Sequence, residues 1–299
     1  MPVIMLLELV LKIGIIGTDT SHATAFATLL NGGKIPGAKI VAAYKGGSAD
    51  VESSRTRVDN YAKELQSKWG VEIVDDIPTL ASKVDAILLL SVDGRTHLQQ
   101  FKAALAAKKP VFIDKPLAST LADAREIARL AKEAGVPWFS ASSLRWSEIT
   151  SSLEGPGILG AMAWGPGPFE EHHQLELSWY AIHPIEILFT LMGPGCEEVT
   201  RVVGADSDEI TCKWKDGRLG TVRALRPYGT YGAVVFRKDG VQMSPAKPRT
   251  DYEGLVREIV KFFETGKPPV ENANTLEIFA FMDAAQRSKE AGGKPEKLK

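Results

Sequence analysis

The sequence predicts an α/β protein. An N-terminal Rossmann-type domain with a doubly wound parallel sheet is followed by a C-terminal α+β domain with a large, mostly antiparallel open sheet. In the first half of the chain, short apolar runs alternate with amphipathic helical stretches, which is typical of parallel strands joined by right-handed crossovers. In the second half, the turns Asp216-Gly217 and Asp239-Gly240 each separate two strand-like runs, which indicates β-hairpins.

Each predicted element of the first half has its own signal. The strands are short apolar runs that end at turn signals, at residues 12–16, 39–44, 72–74, 86–90, 110–113 and 136–139. The helices place apolar residues at helical spacing, at residues 22–30, 60–69, 78–83, 96–107 and 120–134. Thr120 is a favourable N-cap for the last of these helices, and Gly135 is a favourable residue to end it.

The second half is predicted to contain two hairpins flanked by helices. The hairpins pair residues 210–214 with 219–225 and 233–237 with 241–244, and helices are expected at 182–191, 252–264 and 275–291. Because the alternating pattern stops near residues 142–148, we expect the first domain to span residues 1–143 and the second to span 144–299.

Composition excludes several classes of protein. The chain has 299 residues, 44% hydrophobic and 24% charged, so it is long enough for two domains and too apolar for disorder. A net charge of -1 gives no sign of binding to nucleic acid or an anionic membrane. Cys196 and Cys212 form no C-x-x-C motif, so no disulfide framework or zinc site is indicated, and we expect a cytoplasmic protein. Glu8 and Lys12 interrupt the apolar N-terminus, so residues 1–10 are expected to lead into the first strand.

The first strand-to-helix turn, G-T-D-T-S-H at residues 17–22, stands where a dinucleotide-binding domain carries G-x-G-x-x-G. Asp19 and His22 replace the second and third glycines. A carboxylate about 4 Å from a phosphate would cost roughly 4 kcal/mol at an effective dielectric near 20, so Asp19 is expected to turn away or to cap the helix. The turn either serves only as a helix cap or binds phosphate through its remaining residues, Gly17, Thr18, Thr20 and Ser21.

Two further residues are open to two interpretations. Lys45 follows the second strand, where an acidic residue usually binds the ribose of NAD, so a lysine is compatible with the 2′-phosphate of NADP or with a solvated loop. His97 follows the strand at 86–90 and starts a helix, where it could serve in a site or in capping and packing.

Lys115 stands in V-F-I-D-K-P-L-A, directly after a buried strand. The carboxyl edge of a parallel sheet is where open α/β folds bind ligands, and Pro116 keeps Lys115 out of a helical conformation. The motif can therefore hold one ammonium group over a cleft, although a solvated lysine in a plain turn fits the tripeptide as well.

A histidine and a carboxylate lie three positions apart in W-Y-A-I-H-P-I-E. His183 and Glu186 share one stripe of the predicted helix, where a carboxylate can hold an imidazole in one tautomer for proton transfer, or where the two form a surface pair. Residues 170–173 (E-E-H-H) form a second polar cluster. Adjacent histidines lack an established metal-ligand spacing, so no metal site is predicted.

Taken together, these motifs resemble the Gfo/Idh/MocA family, whose members are typically NAD(P)-dependent oxidoreductases of sugars, cyclitols and related polyols. The resemblance extends over nearly the whole chain. It rests on K-I-G-I-I-G, the segment around His97, K-P-V-F-I-D-K-P-L-A, S-L-R-W, the segment around His183 and the tail from P-P-V to A-A-Q-R-S, at residues 12–17, 86–107, 109–118, 143–146, 179–193 and 268–288. It implies a Rossmann domain followed by a domain whose open sheet often forms a dimer interface.

The resemblance also implies roles for individual residues. Lys115 would lie beside the nicotinamide and bind substrate, and His183 would take the proton of the substrate hydroxyl. Trp179 stands where family members commonly have an aspartate, so another residue would have to replace that acid. The remaining expected cofactor contacts are Gly17, Thr18, Thr20, Ser21, Lys45, Ser91, His97 and Asp114, and the expected substrate contacts are Arg145, His172, His173, Tyr180 and Glu186.

The function that follows from the resemblance is an oxidoreductase that interconverts a secondary alcohol and a ketone on a sugar-like molecule, with NAD or NADP as cofactor. The altered glycine turn and Trp179 leave two alternatives open. One is a non-catalytic, ligand-binding descendant of the fold, and the other is a lyase or epimerase that recycles its cofactor in place. We expect a homo-oligomer, a dimer or tetramer formed through the C-terminal sheet, and no nucleic-acid or membrane partner.

Overall fold

The computed structural model describes residues 10–227 and 229–299, so the expected lead into the first strand lies almost entirely outside the described residues. The first half contains, in chain order, β1 (Leu11–Ile16), α1 (Ser21–Leu30), β2 (Ala38–Tyr44), α2 (Glu52–Arg55), α3 (Val58–Trp69), β3 (Glu72–Val74), α4 (Ile77–Lys83), β4 (Ala86–Leu89), α5 (His97–Leu105), β5 (Val111–Ile113), α6 (Leu121–Ala134) and β6 (Trp138–Phe139).

These strands form one parallel sheet in the order β3-β2-β1-β4-β5-β6, which confirms the predicted Rossmann-type domain. Its strands are apolar because helices cover both faces; Ile15, Leu88 and Phe112 are fully buried. The strand order reverses between β1 and β4. Ligands of doubly wound sheets bind at the carboxyl edge of such a reversal, so the fold itself points to this edge.

Helix ends in this domain follow the predicted signals. The hydroxyl of Thr120 accepts a hydrogen bond from the amide of Asp123, and α6 ends at Gly135 with a φ of 66°. At the start of α1 the cap is Thr20, whose side chain accepts from the amide of His22. Asp19 therefore does not cap α1, and the other expectation, that it turns away, holds.

The second half begins with a 3₁₀ turn (Ser143–Trp146). It continues with α7 (Glu148–Ser151), β7 (Gly160–Pro166), α8 (Glu176–Trp179), α9 (Ile182–Met192), β8 (Cys196–Val203), β9 (Ser207–Trp214), β10 (Leu219–Leu225), β11 (Gly232–Arg237), β12 (Gly240–Met243), α10 (Glu253–Thr265), α11 (Asn272–Glu290) and β13 (Glu296–Lys297).

These strands form a second sheet in the order β12-β11-β7-β10-β9-β8-β13. Both predicted hairpins are present, as β9 with β10 and β11 with β12. The pair of β7 and β10 is parallel, while the other pairs are antiparallel, which confirms the expected mostly antiparallel sheet. The sequence patterns did not predict β7 or β8.

Two helices of the second half bring the sheets together. α10 packs on the Rossmann domain, where the ring of Phe262 lies 5.0 Å from that of Phe139. α9 covers the second sheet and begins next to the 3₁₀ turn that follows the first sheet. This places His183, in the first turn of α9, near the carboxyl edge of the parallel sheet. Within the described ranges, no helix is long and apolar enough to cross a membrane.

Candidate active site

A cavity of about 390 Å³ opens at the carboxyl edge of the parallel sheet, between the two halves of the chain. The Rossmann domain contributes the start of α1, the segment with Ser53 and Arg57, Val92 after β4, and Lys115, the second residue after β5. The second half contributes the 3₁₀ turn, the end of α8, the start of α9 and loop residues. The side chains that matter for chemistry are Thr20, Ser21, His22, Arg57, Lys115, Tyr180 and His183. The structure therefore brings Lys115 and His183 to one pocket, as the sequence interpretation requires.

Lys115 is nine-tenths buried and lines this pocket. Its Nζ lies 5.8 Å from the centre of the Tyr180 ring. Among the described residues, no side chain or carbonyl forms a hydrogen bond or ion pair with this ammonium group. Burial lowers the pKa of Lys115, with a further contribution from the charge of Arg57, while the nearby Asp114 opposes the change. The result is an ammonium group that can bind a ligand oxygen or give up a proton.

His183 is held by a serine that the sequence reasoning missed. Its Nδ1 lies 2.7 Å from the hydroxyl oxygen of Ser142, which also accepts a hydrogen bond from the amide of Leu144. Burial lowers the pKa of His183 well below 6.5, followed by repulsion from Lys115 and His22, so the ring is neutral at neutral pH. When Nδ1 donates to Ser142, Nε2 keeps its lone pair and can accept a proton from a ligand.

His22 is a second histidine of the pocket, and the sequence analysis did not assign it to the site. Its Nδ1 lies 2.7 Å from Oδ2 of Asp114, and its ring packs edge-on against Tyr252 at 4.7 Å. Burial acts to raise the pKa of Asp114, but the charge of His22 and its hydrogen bond keep that pKa below its usual value. Asp114 thus lies behind the pocket wall. The signal was in the sequence: a histidine replaces the third glycine of the turn.

The glycine turn is tied to the segment that follows β2, here called the β2–α3 segment (residues 45–58). Oδ2 of Asp19 accepts from the hydroxyl of Ser54 at 2.6 Å, and its Oδ1 accepts from the amide of Val92 at 3.2 Å. The hydroxyl of Thr18 donates to the carbonyl of Val58 at 2.9 Å. Burial raises the pKa of Asp19, and the hydrogen bonds from Ser54 and Val92 oppose the rise. The carboxylate therefore bridges three segments.

The β2–α3 segment also contacts the loop after β4. The hydroxyl of Ser48 donates to Asp93 at 2.6 Å, and Gly46 packs so closely that an added Cβ would lie 3.3 Å from both Gly17 and Ser91. Gly17 has a φ of +93° and leaves no room for a side chain against Ser91. These contacts fill the space between the loops after β1, β2 and β4, where a Rossmann domain holds the pyrophosphate and adenosine of its cofactor.

The predicted cofactor contacts fall into two groups, those that line the pocket and those that do not. Thr20 and Ser21 line the pocket, whereas Gly17, Thr18 and Ser91 are buried. Three others are engaged elsewhere: Lys45 pairs with exposed Asp59 at 2.8 Å, His97 lies between the carbonyls of Ser91 and Leu117, and Asp114 contacts His22. The residues present at the adenosine half of the cleft thus do not fit a dinucleotide in the conformation described.

Of the predicted substrate contacts, some line the pocket and others lie outside it. Tyr180 and Trp179 line the pocket. Arg145 and Glu186 form a buried ion pair with each other outside it. In the E-E-H-H cluster, Nε2 of His173 donates to Asp93 at 3.1 Å and its Nδ1 lies 3.2 Å from the hydroxyl of Ser178, while His172 pairs with Glu170 at 2.6 Å. His173 thus connects the two halves of the chain through Asp93, and neither histidine lines the pocket. Within the described residues, no group of three or more potential ligands is placed to hold a metal ion.

Comparison with known proteins places the first half in a family. The profile of the Gfo/Idh/MocA oxidoreductases, described by their NAD-binding Rossmann fold, matches residues 11–142. The chain is 35% identical to inositol 2-dehydrogenase from Acidiphilium cryptum over 120 residues, which are 39% of this chain and 32% of that protein. It is 49% identical to 1,5-anhydro-D-fructose reductase from Ensifer adhaerens over 53 residues, 18% of this chain and 16% of that protein. The matches span about a third or less of these curated relatives.

Solved structures share the whole fold at low sequence identity. The myo-inositol 2-dehydrogenase of Lactobacillus plantarum superposes with a TM-score of 0.79 at 17% identity, over 97% of this chain and all of that one. The myo-inositol dehydrogenase of Lactobacillus casei, solved with NAD(H) and myo-inositol, gives 0.74 at 18% identity over 97% of each chain. Residues 11–142 thus match the Gfo/Idh/MocA family of oxidoreductases, and the chain as a whole has the fold of these solved dehydrogenases.

Proposed function

We propose that this protein is an oxidoreductase that interconverts a secondary alcohol and a ketone on a sugar, cyclitol or related polyol. The observation that carries the proposal is that Lys115 and His183, from opposite halves of the chain, line one pocket. The relatives of the N-terminal half support it, because they are named for inositol and 1,5-anhydro-D-fructose, which are polyhydroxylated rings.

Each of the two residues has a defined task in this proposal. Lys115 donates a hydrogen bond to the oxygen of the substrate alcohol, which stabilises the alkoxide as it forms. His183 accepts the hydroxyl proton on Nε2, while Ser142 holds Nδ1. Because the pKa of His183 is low, the imidazole is in the base form when the substrate arrives. Tyr180, between the two groups, takes the place of the acid that Trp179 replaces.

A nicotinamide cofactor supplies the hydride acceptor in this chemistry. Its adenosine half requires residues 45–48, directly after β2, to move away from Gly17, Ser91 and Asp93, while Ser53 and Arg57 stay at the pocket. The test is a fluorescence titration of the purified protein with NADH and NADPH, with Lys115→Ala and His183→Ala compared for turnover on a panel of polyols. Absence of binding of either cofactor at millimolar concentration removes the oxidoreductase proposal.

A second candidate function, isomerisation, epimerisation or elimination, involves no net redox change. The closed cleft favours it, since a cofactor that takes a hydride from the substrate and returns it within one turnover would not have to leave, and Lys115 and His183 would transfer the protons. Product analysis that shows conversion without a change in NAD(P)H absorbance would support this candidate. Full ligand affinity in Lys115→Ala and His183→Ala, with no turnover to lose, would instead indicate a binding protein.

We also propose that the protein forms a homo-oligomer through its second sheet. Apolar side chains on that sheet remain exposed, with 63% of Val241 and 68% of Met243 accessible in one protomer. Light scattering during gel filtration gives the mass directly, and a monomer at all concentrations removes this proposal.

A further inference from the structure

We infer that the substrate of this pocket carries an acidic group, a carboxylate or a phosphate ester, held by Arg57, Lys115 and the first turn of α1. The inference deepens the proposed function, since it names the class of substrate for the same pocket. It rests on the charges and unpartnered groups that line the cavity.

The pocket wall is rich in donors for an anion. Arg57 and Lys115 both line it, and they are close enough that the charge of Arg57 contributes to the lowered pKa of Lys115. The ten-residue helix α1 begins at the same wall with Ser21, so its N-terminus adds a partial positive charge and backbone donors. None of the residues described as lining the cavity is an aspartate or a glutamate.

Two buried polar groups in this wall form no hydrogen bond or ion pair within the described part of the chain. One is the ammonium of Lys115, which is nine-tenths buried. The other is the hydroxyl of Ser53, four positions before Arg57, whose buried oxygen forms no hydrogen bond. Buried polar groups in folded proteins are nearly always satisfied, so both groups indicate a ligand with several acceptor oxygens.

The nearby ionisable groups leave the wall cationic. Asp114 lies behind the wall against His22 and offsets one positive charge. His183 is neutral at neutral pH because its pKa is low. Arg57 and Lys115 against Asp114 leave one uncompensated positive charge, before any charge on His22 is counted. A neutral polyol would leave that charge unpaired, whereas a carboxylate or phosphate neutralises it.

The contacts of the glycine turn argue that this anion is not the pyrophosphate of a dinucleotide. The amides of Gly17 and Thr18 already donate to the carbonyls of Tyr44 and Lys45, at 2.9 and 2.8 Å. The β2–α3 segment, which supplies Ser53 and Arg57 to the pocket, also fills the adenosine half of the cleft. One segment thus closes the cofactor path and completes an anion site.

Isothermal titration of the full chain with gluconate, glucose 6-phosphate, inorganic phosphate, myo-inositol and NADH tests the inference. At least one of the three anions is expected to bind more tightly than myo-inositol, with gluconate and glucose 6-phosphate separating carboxylate from phosphate. Arg57→Ala should weaken that binding about tenfold or more, since a hydrogen bond to a charged group is lost. Arg55→Ala is the matched control, because this exposed arginine lies in the same segment and outside the pocket wall.

Three results would overturn the inference. They are an affinity for myo-inositol equal to that for the anions, no binding of any of the three anions at millimolar concentration, and an Arg57→Ala effect that is confined to NADH. Redox turnover is measured separately. Arg57-dependent binding of an acid without turnover on NAD⁺ or NADP⁺ would remove the proposed oxidoreduction and support this inference.

Discussion

The hydroxyl of Ser54 donates a 2.6 Å hydrogen bond to Oδ2 of Asp19, and both side chains are fully buried. Ser54 also accepts a hydrogen bond from the amide of Ser48 at 2.7 Å. One hydroxyl thus ties the glycine turn to the β2–α3 segment. This contact accounts for a carboxylate at a position where a Rossmann turn usually has glycine.

Ser54→Ala should lower the free energy of unfolding by about 1–3 kcal/mol, because a buried carboxylate oxygen and a buried amide lose their partner. Urea denaturation measures the change. Thr56→Ala is the control, since its exposed hydroxyl bonds only to a backbone carbonyl one turn earlier, and it should cost less than about 0.5 kcal/mol. Equal losses in the two variants would contradict the assigned role of Ser54.

Asp19→Gly restores the second glycine of the turn and removes the carboxylate that bridges to Val92. Affinity for NADH should rise relative to the unmodified protein, because the β2–α3 segment loses its buried anchor. Asp19→Asn, which keeps a side chain of the same size in the turn, should not produce this gain. Fluorescence titration compares the three proteins, and tight NADH binding by the unmodified chain would show that the closed segment is no obstacle.

Asp114→Asn removes the negative charge that raises the pKa of Lys115 against the effect of burial. The pKa of Lys115 should therefore fall further, and the alkaline limb of the pH–rate or pH–binding profile should move to lower pH. Asp59→Asn is a charge-matched control on the surface. An alkaline limb at the same pH in Asp114→Asn and in the control would exclude the coupling between the two groups.

The low pKa of His183 predicts a loss of stability on acidification. Below pH 6.5, the imidazole of His183 binds a proton in the unfolded chain but stays neutral in the folded protein. The free energy of unfolding therefore falls as the pH falls, by up to about 1.4 kcal/mol per pH unit, until the pH reaches the pKa of the folded state. His183→Asn should lose this part of the slope. Urea denaturation at several values between pH 7 and pH 5 measures it. His97, also buried with a lowered pKa, contributes equally to both proteins, so the difference between them isolates His183.

Local patterns in the sequence predicted most of the fold. Alternating strands and helices give a parallel sheet for general reasons of chain twist, and Asp-Gly turns favour hairpins, so neither prediction needed long-range information. β7 was missed because its run of glycine, alanine and proline, G-A-M-A-W-G-P, lacks the β-branched residues that mark a strand. It is a strand because β10 and β11 pair with it on either side.

The sequence by itself determined the alternation of strands and helices in the first half and the placement of Lys115 after the end of a strand, since both depend on neighbouring residues along the chain. Only the tertiary structure decided that His183 meets Lys115 in one pocket, that His22 pairs with Asp114, and that the β2–α3 segment packs against the glycine turn and the loop after β4. These relationships join positions that are far apart in sequence. They arise because burial forces each polar side chain to find a partner in space, which no local pattern of residues records.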